Sequence, residues 1–329
     1  MSQKFLIVCA AAFFLTIAIA SIAKANGGPH GDYTTTTDAC AGCHRAHTAA
    51  GANLLTVETE YDLCMTCHGA GSTGANTNVN DGIYTARSAS TTGLSNTVNS
   101  SLIGGGFNKY NRLPVTSKHD VSSGLVIAAW GYSGTVALTP SRGVRRAITS
   151  GLKCSSCHNP HGSTNYRMIN TSINTIPITV TVTDEGAAKD YGKEHWLSDM
   201  SSICDGCHSA YHVTTPGSGS DATVAQHGGY AHRVDMITSN TFLETTGWSS
   251  NGGVTVTLPL ASQFITGTNT NNLVVCQTCH LPHGSSAAMA GFANGGPTGV
   301  DVLPGNTNTT DSALLRVANR GVCEACHQK

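Results

Sequence analysis

Hydrophobic residues in this chain are concentrated in one stretch near the start and scattered thereafter. Residues 5–22 are almost wholly apolar behind a single basic residue, Lys4. Ala23-Lys24-Ala25 then offers a small-x-small cleavage site, so residues 1–25 read as a secretory signal peptide and the mature chain starts near Asn26. No later segment approaches the ~20 apolar residues needed to span a bilayer. Apolar and polar residues alternate over 176–182 and 254–258, which predicts hairpin strands. A helix is expected over 312–320. Much of what remains is Gly, Ser, Thr and Asn, as in 34–37, 71–80 and 268–272, and reads as connection. The pattern predicts mostly irregular coil with short helices and a few β-hairpin strands.

Composition sharpens this. Charged residues are 11% of the chain and aromatics 6%, a poor basis for a conventional core of this length. Loss of the leader takes Lys4 and Lys24 from 18 basic residues, against 19 acidic ones. No basic patch remains for a nucleic acid. Something other than side chains must fill the interior.

The cysteines say what. Six times the run Cys-x-x-Cys-His occurs: Cys40, Cys43 and His44; Cys64, Cys67 and His68; Cys154, Cys157 and His158; Cys204, Cys207 and His208; Cys276, Cys279 and His280; Cys323, Cys326 and His327. These runs use twelve of the thirteen cysteines, and the last, Cys9, lies in the leader. Structural zinc also uses paired Cys-x-x-Cys, but has no need of a histidine directly after every second cysteine. The pattern is the attachment signature of c-type haem: two thiols take the porphyrin vinyl groups and the next imidazole ligates the iron. Six covalently attached haems c are expected, each with only roughly fifty residues of mature chain to itself. The porphyrins become the core, stapling a small fold as metals do.

Nine histidines remain after the six proximal ones. Three of them follow a proximal histidine at the third position, as His47, His161 and His283. In the last two the link is His-x-Pro-His-Gly, stiffened by Pro160 and Pro282. Such a histidine cannot easily reach the far face of the ring its neighbour serves, but can reach a second iron. Three residues span at most ~11 Å, so each segment ties two haems closely.

A threefold order emerges, each unit having an upstream histidine, a Cys-x-x-Cys-His-x-x-His and a plain Cys-x-x-Cys-His. Residues 26–110, 111–220 and 221–329 form the three dihaem units of one continuous haem-cored domain, with His30, His119 and His232 as the upstream histidines. These three with His47, His161 and His283 supply six distal ligands for six irons. His195, His212 and His227 are left over, and His212 competes with His30 for the sixth place because it lies four residues after His208.

Iron held by two imidazoles has no open position, which favours electron transfer over catalysis, so the chain is not expected to be an enzyme. There is no Cys-x-x-Cys-Lys, so a multihaem reductase ranks below an extracellular conduit or a monomeric periplasmic shuttle. The near-neutral surface of small uncharged residues suits packed interfaces better than transient charged docking.

The ordered motifs resemble those of the OmcS-type extracellular hexahaem cytochromes of metal-reducing bacteria. The matching residues are His30, 40–47, His119-Asp120-Val121, 154–162, 204–212 and 323–327. The resemblance implies a secreted, head-to-tail homopolymer, a nanowire passing electrons between other cytochromes and external acceptors. It also implies that His47 is donated across the subunit interface to the haem held by Cys276 and Cys279 of a neighbour.

Overall fold

A computed structural model describes residues 30, 37–70, 75, 77–84, 100–124, 151–180, 182–183, 195–196, 200–208, 211–212, 232–237, 248–249, 255–256, 258–265, 268–288, 313–318 and 321–327. The leader with Cys9, and His227, lie outside the described residues, as does the His195 side chain.

Irregular chain dominates, as the composition requires. Five short α-helices carry motif residues: α1 Glu60–His68, α2 Cys154–Cys157, α3 Met200–His208, α4 Cys276–Cys279 and α5 Gly321–His327. Residues Thr37–Gly42 of the first motif form a 3-10 turn. Thr59 starts α1 by accepting from the Asp62 N–H at 3.0 Å, and its hydroxyl donates back to the Asp62 carboxylate. Helices α2 and α4 last one turn, each closed by the N–H of the preceding residue donating to a side chain inside the turn, Lys153 to Ser156 and Val275 to Thr278.

Strands are short antiparallel pairs. The largest sheet among the described residues has three strands, Met236–Ile237, Thr268–Val274 and Ala261–Ile265. The expected strand over 176–182 is divided. Ile176–Pro177 pairs with Ser172–Ile173, and Val182–Thr183 pairs with His195–Trp196. Within 254–258, Thr255–Val256 pairs with Trp248–Ser249.

The helix expected over 312–320 is not formed in its described part. Residues 313–318 are turn and bend, because Ala313 and Leu314 take left-handed backbone angles (φ 48° and 64°) and Leu315 pairs with His280. The helix begins at Gly321 instead.

Side chains bury little together. One apolar cluster gathers Ile169, Ile173, Ile178, Val180, Met200, Ala261, Leu273 and Val275. A second gathers Leu258, Leu260, Val274, Val322 and Ala325. Both belong to the second half of the chain, and α1 buries no residue at all. Among the described residues, no apolar cluster lies around the first two motifs.

Candidate haem centres

The six motifs fall into two structural kinds. In the second, fourth and sixth, the proximal histidine ends a helix, as His68, His208 and His327. In the first, third and fifth, it leaves the turn as extended chain and forms an antiparallel bridge, His44 with Leu55, His158 with Ile169 and His280 with Leu315. The three bridges are built alike. Two left-handed residues precede each partner: Asn53 and Leu54, Arg167 and Met168, Ala313 and Leu314. The carbonyl of the first accepts from the proximal imidazole Nδ1, at 2.9 Å from Asn53 to His44, 2.9 Å from Arg167 to His158 and 2.8 Å from Ala313 to His280. A left-handed pair turns the chain back sharply enough for this carbonyl to face the ring.

Other histidines are held by the same atom. His68 Nδ1 contacts Thr77 Oγ1 at 2.9 Å, and His232 Nδ1 contacts Arg233 O at 2.7 Å. His30 Nδ1 contacts Pro160 O at 3.1 Å, and His119 Nδ1 contacts Pro282 O at 2.5 Å. The prolines between paired histidines thus present carbonyls to histidines from elsewhere in the chain. Donation from Nδ1 leaves the Nε2 lone pair for a metal and fixes the ring's orientation.

The rings stand in pairs. Ring centroids are 6.1 Å apart for His30 and His68, for His44 and His161, and for His119 and His208. They are 6.4 Å apart for His158 and His283, and 6.2 Å for His232 and His327. Two imidazoles on opposite sides of one metal ion, each nitrogen about 2 Å from it, place their centroids roughly 6 Å apart. In every pair one ring belongs to a motif and the other is a candidate distal ligand. Two pairs join different sequence units, so the units interlock. Among the described side chains, neither His280 nor His47 faces another imidazole at this spacing, and both are exposed.

His212 is different. Its Nε2 lies 2.7 Å from Asp235 and its Nδ1 3.4 Å from Asp205. An imidazole bonded to carboxylates through both nitrogens is protonated. Asp205 and Asp235 hold its pKa up to about 10, so it has no lone pair for iron. Burial acts the opposite way on the facing rings. It pushes His68, His119 and His158 below the usual histidine range and His283 down to about 4, which keeps each neutral and able to ligate.

Neighbouring motifs meet through their cysteines. Cys64 hydrogen-bonds Cys154, and Cys204 hydrogen-bonds Cys276. Cys43 lies near Cys67 and Cys64, Cys157 near Cys207, and Cys279 near Cys326. The order of motifs in space is therefore their order in sequence. At the second-to-third junction, Glu60 accepts from the Ser155 N–H (2.7 Å) and hydroxyl (2.9 Å). At the fourth-to-fifth junction, Ser201 accepts from the Cys276 N–H (3.3 Å) and donates to Asp235 (2.8 Å). Close packing in this series leaves no room for side chains at two positions. A Cβ on Gly206 would meet Ile173, and one on Gly105, itself at φ +80°, would meet the Gly284 carbonyl beside His283.

Sequence reasoning missed Glu60, Ser201 and the carbonyls that hold Nδ1. One signal was present: Asn53 and Arg167 each lie nine residues after their histidine. Leu54-Leu55-Thr56 and Leu314-Leu315-Arg316 recur visibly, but they fold back on the preceding motif instead of leading into the next.

Thiol pairs beside imidazole pairs of this spacing fit haem c, with the cysteines holding the porphyrin and the facing histidines the iron. Comparison with known families agrees on the class. The doubled CXXCH motif family matches residues 30–73 and 146–176. The doubled motif indicates covalent attachment of haem c. Two solved structures are similar to it, both filaments from Geobacter sulfurreducens. The outer membrane cytochrome S filament shares 16% identity at a TM-score of 0.38. The OmcS nanowires share 16% identity at a TM-score of 0.43. Each match covers 88% of this chain and 98% of the other. Comparison with curated protein sequences gives no match. No helix among the described residues is long and apolar enough to cross a membrane.

Proposed function

We propose that the chain binds six haems c, each iron between two histidines, and that exported copies join head to tail into an electron-conducting filament outside the cell. Cys40, Cys43, Cys64, Cys67, Cys154, Cys157, Cys204, Cys207, Cys276, Cys279, Cys323 and Cys326 hold the porphyrins. Bound haem supplies one-electron iron chemistry, and the chain's residues fix where each iron stands. With both axial positions filled by imidazole, no site is left for a substrate, so the protein is a conduit and not an enzyme. Its partners are further copies of itself, other cytochromes and extracellular electron acceptors.

The observation that carries this reading is a series with one missing term. His161 of the third motif faces His44 of the first, and His283 of the fifth faces His158 of the third. The next histidine in the series is His47, and the next site is His280. Within the described residues these are the two rings without a facing partner. A following copy supplies His47 to the fifth motif of the copy before it.

Two other series run out at the same junction. Pro160 accepts from His30 and Pro282 from His119, so the carbonyl of Ala46 is next for His232 of the preceding copy, whose Nδ1 within the single chain turns to the neighbouring Arg233 carbonyl. Cys64 meets Cys154 and Cys204 meets Cys276, so Cys323 is next for Cys40 of the following copy, and both are exposed. One heterologous contact completes all three, and a contact of that kind continues into an open filament.

The test is electron microscopy and absorption spectroscopy of the haem-loaded wild type and His47→Ala. Wild type should form filaments with all six haems low-spin. His47→Ala should stay monomeric, with one haem in six high-spin and open to carbon monoxide. Filaments of His47→Ala with six low-spin haems remove this donor. A wild type that stays monomeric and fully low-spin at high concentration makes the protein a shuttle.

A further inference from the structure

Beside the fifth motif lies a half-buried charge that has no counter-ion among the described residues. The Arg316 Nε donates to the Gln277 carbonyl at 2.7 Å and its Nη2 to the Ile103 carbonyl at 2.8 Å. The Tyr110 side chain is its other partner. Among the described residues no carboxylate lies within ion-pair distance of it. Burial disfavours its charge, but a guanidinium remains protonated at any working pH. The cation is close enough to the His280 ring to disfavour protonation there as well.

The two equivalent positions are uncharged. Arg316, Asn170 and Thr56 each donate a backbone N–H to the second cysteine's carbonyl, at 2.9 Å to Cys279, 2.8 Å to Cys157 and 3.0 Å to Cys43. Asn170 Nδ2 also donates to the Ser155 carbonyl at 2.9 Å, the same bond that Arg316 makes to Gln277. An amide therefore suffices to hold the motif, and the charge of Arg316 is additional. The third motif has a cation at another position, Arg167, half-buried over the Tyr166 ring at 5.1 Å, and it acts on His158 as Arg316 does on His280. Arg45 at the first motif is exposed. The other charges near the fifth motif, Asp205, His212 and Asp235, are bonded to one another.

We infer that Arg316 raises the reduction potential of the haem at Cys276 and Cys279 above that at the first motif, where Thr56 takes its place. This depends on the proposal that a haem is attached there. A half-buried positive charge opposes the ferric state, which carries one more positive charge than the ferrous, so it favours reduction. The step takes one electron from the neighbouring centre and exchanges no proton and no ligand.

The experiment compares haem-loaded wild type, Arg316→Gln and Asn170→Arg by spectroelectrochemical titration, with electron paramagnetic resonance to separate the low-spin centres. Peptide mass mapping confirms haem on each Cys-x-x-Cys. In Arg316→Gln one component of six should move to lower potential while five stay. In Asn170→Arg one component should move up. A general shift of all components in Arg316→Gln, or none, overturns the inference while leaving the haem assignment intact. If Arg316→Gln does not load haem, Asn170→Arg decides, and an unmoved titration there overturns it. Wild type without haem on Cys276 and Cys279 overturns the assignment and the inference together.

Discussion

The imidazole of His161 stands 6.1 Å from that of His44, while His158, in the same short segment, faces His283 at 6.4 Å. One stiff stretch through Pro160 thus serves two centres, its own and the one two motifs before it. Replacing His161 with Ala should leave the iron at Cys40 and Cys43 five-coordinate and the iron at Cys154 and Cys157 six-coordinate. Magnetic circular dichroism of the variant, with mass mapping of the attached haems, checks this. Loss of the second ligand at Cys154 and Cys157 instead would reverse the pairing.

Carbon monoxide tests the same idea in the wild type. The proposed ring on each face of every iron would leave nowhere for an added ligand, so the reduced, haem-loaded protein should bind none without denaturant. Binding equivalent to one haem in six would point to the fifth motif, whose histidine faces no imidazole among the described residues of its own chain.

His212 gives a pH dependence. Its pKa is raised to about 10 by Asp205 and Asp235, from an ordinary value of 6.5. A raised histidine pKa contributes stability that is full below the unfolded value and disappears as pH rises through the folded one. Guanidinium unfolding of haem-loaded protein should show His212→Gln less stable than wild type by about 2 kcal/mol at pH 6. The gap should narrow above pH 6.5 and close above about pH 10. A gap independent of pH would mean that packing, not charge, is lost.

Glu60 joins α1 to the first turn of α2 through both its carboxylate oxygens. Glu60→Ala leaves the Ser155 N–H without its acceptor in a half-buried place and should cost about 1–3 kcal/mol by the same unfolding measurement. Glu60→Gln keeps a carbonyl acceptor and should lose less. Equal losses would show that the backbone bond is not the one that matters.

Gly206, between Asp205 and Cys207, packs against Ile173 so closely that a methyl group would overlap its side chain and carbonyl. Gly206→Ala should destabilise the haem-loaded protein by about 1–3 kcal/mol, as overpacking does, with α3 pushed off the Ser172–Ile173 strand. Unfolding midpoints and near-ultraviolet dichroism check it. An unchanged midpoint would mean that this contact gives way without strain.

Much of the architecture could be read from the chain because covalent attachment is local. Two thiols and an imidazole act within five consecutive residues, so spacing alone announces them, and the low apolar content announces a coil-rich fold. The bridges behind His44, His158 and His280 were only half visible. Their partners are backbone carbonyls, which any residue can supply, and in the third the partner Ala313 lies 33 residues on. The helix expected over 312–320 fails for a related reason. Pairing of Leu315 with His280, and the turn at Ala313 and Leu314 that allows it, outweigh the helical preference of the segment.

The sequence by itself determined that paired thiols each carry an adjacent histidine, that further histidines recur in register, and that side chains alone could not form the core. Only the tertiary structure decided which histidine faces which. A distal imidazole is brought to its place by long connections whose composition says nothing of where they lead, and its orientation is set by a carbonyl from another motif, as Pro160 does for His30 and Pro282 for His119. The same folding put carboxylates on both sides of His212, which spacing alone had left competing with His30. Ligation is written in short spacings that local geometry enforces, whereas pairing is a property of chain segments meeting across the fold.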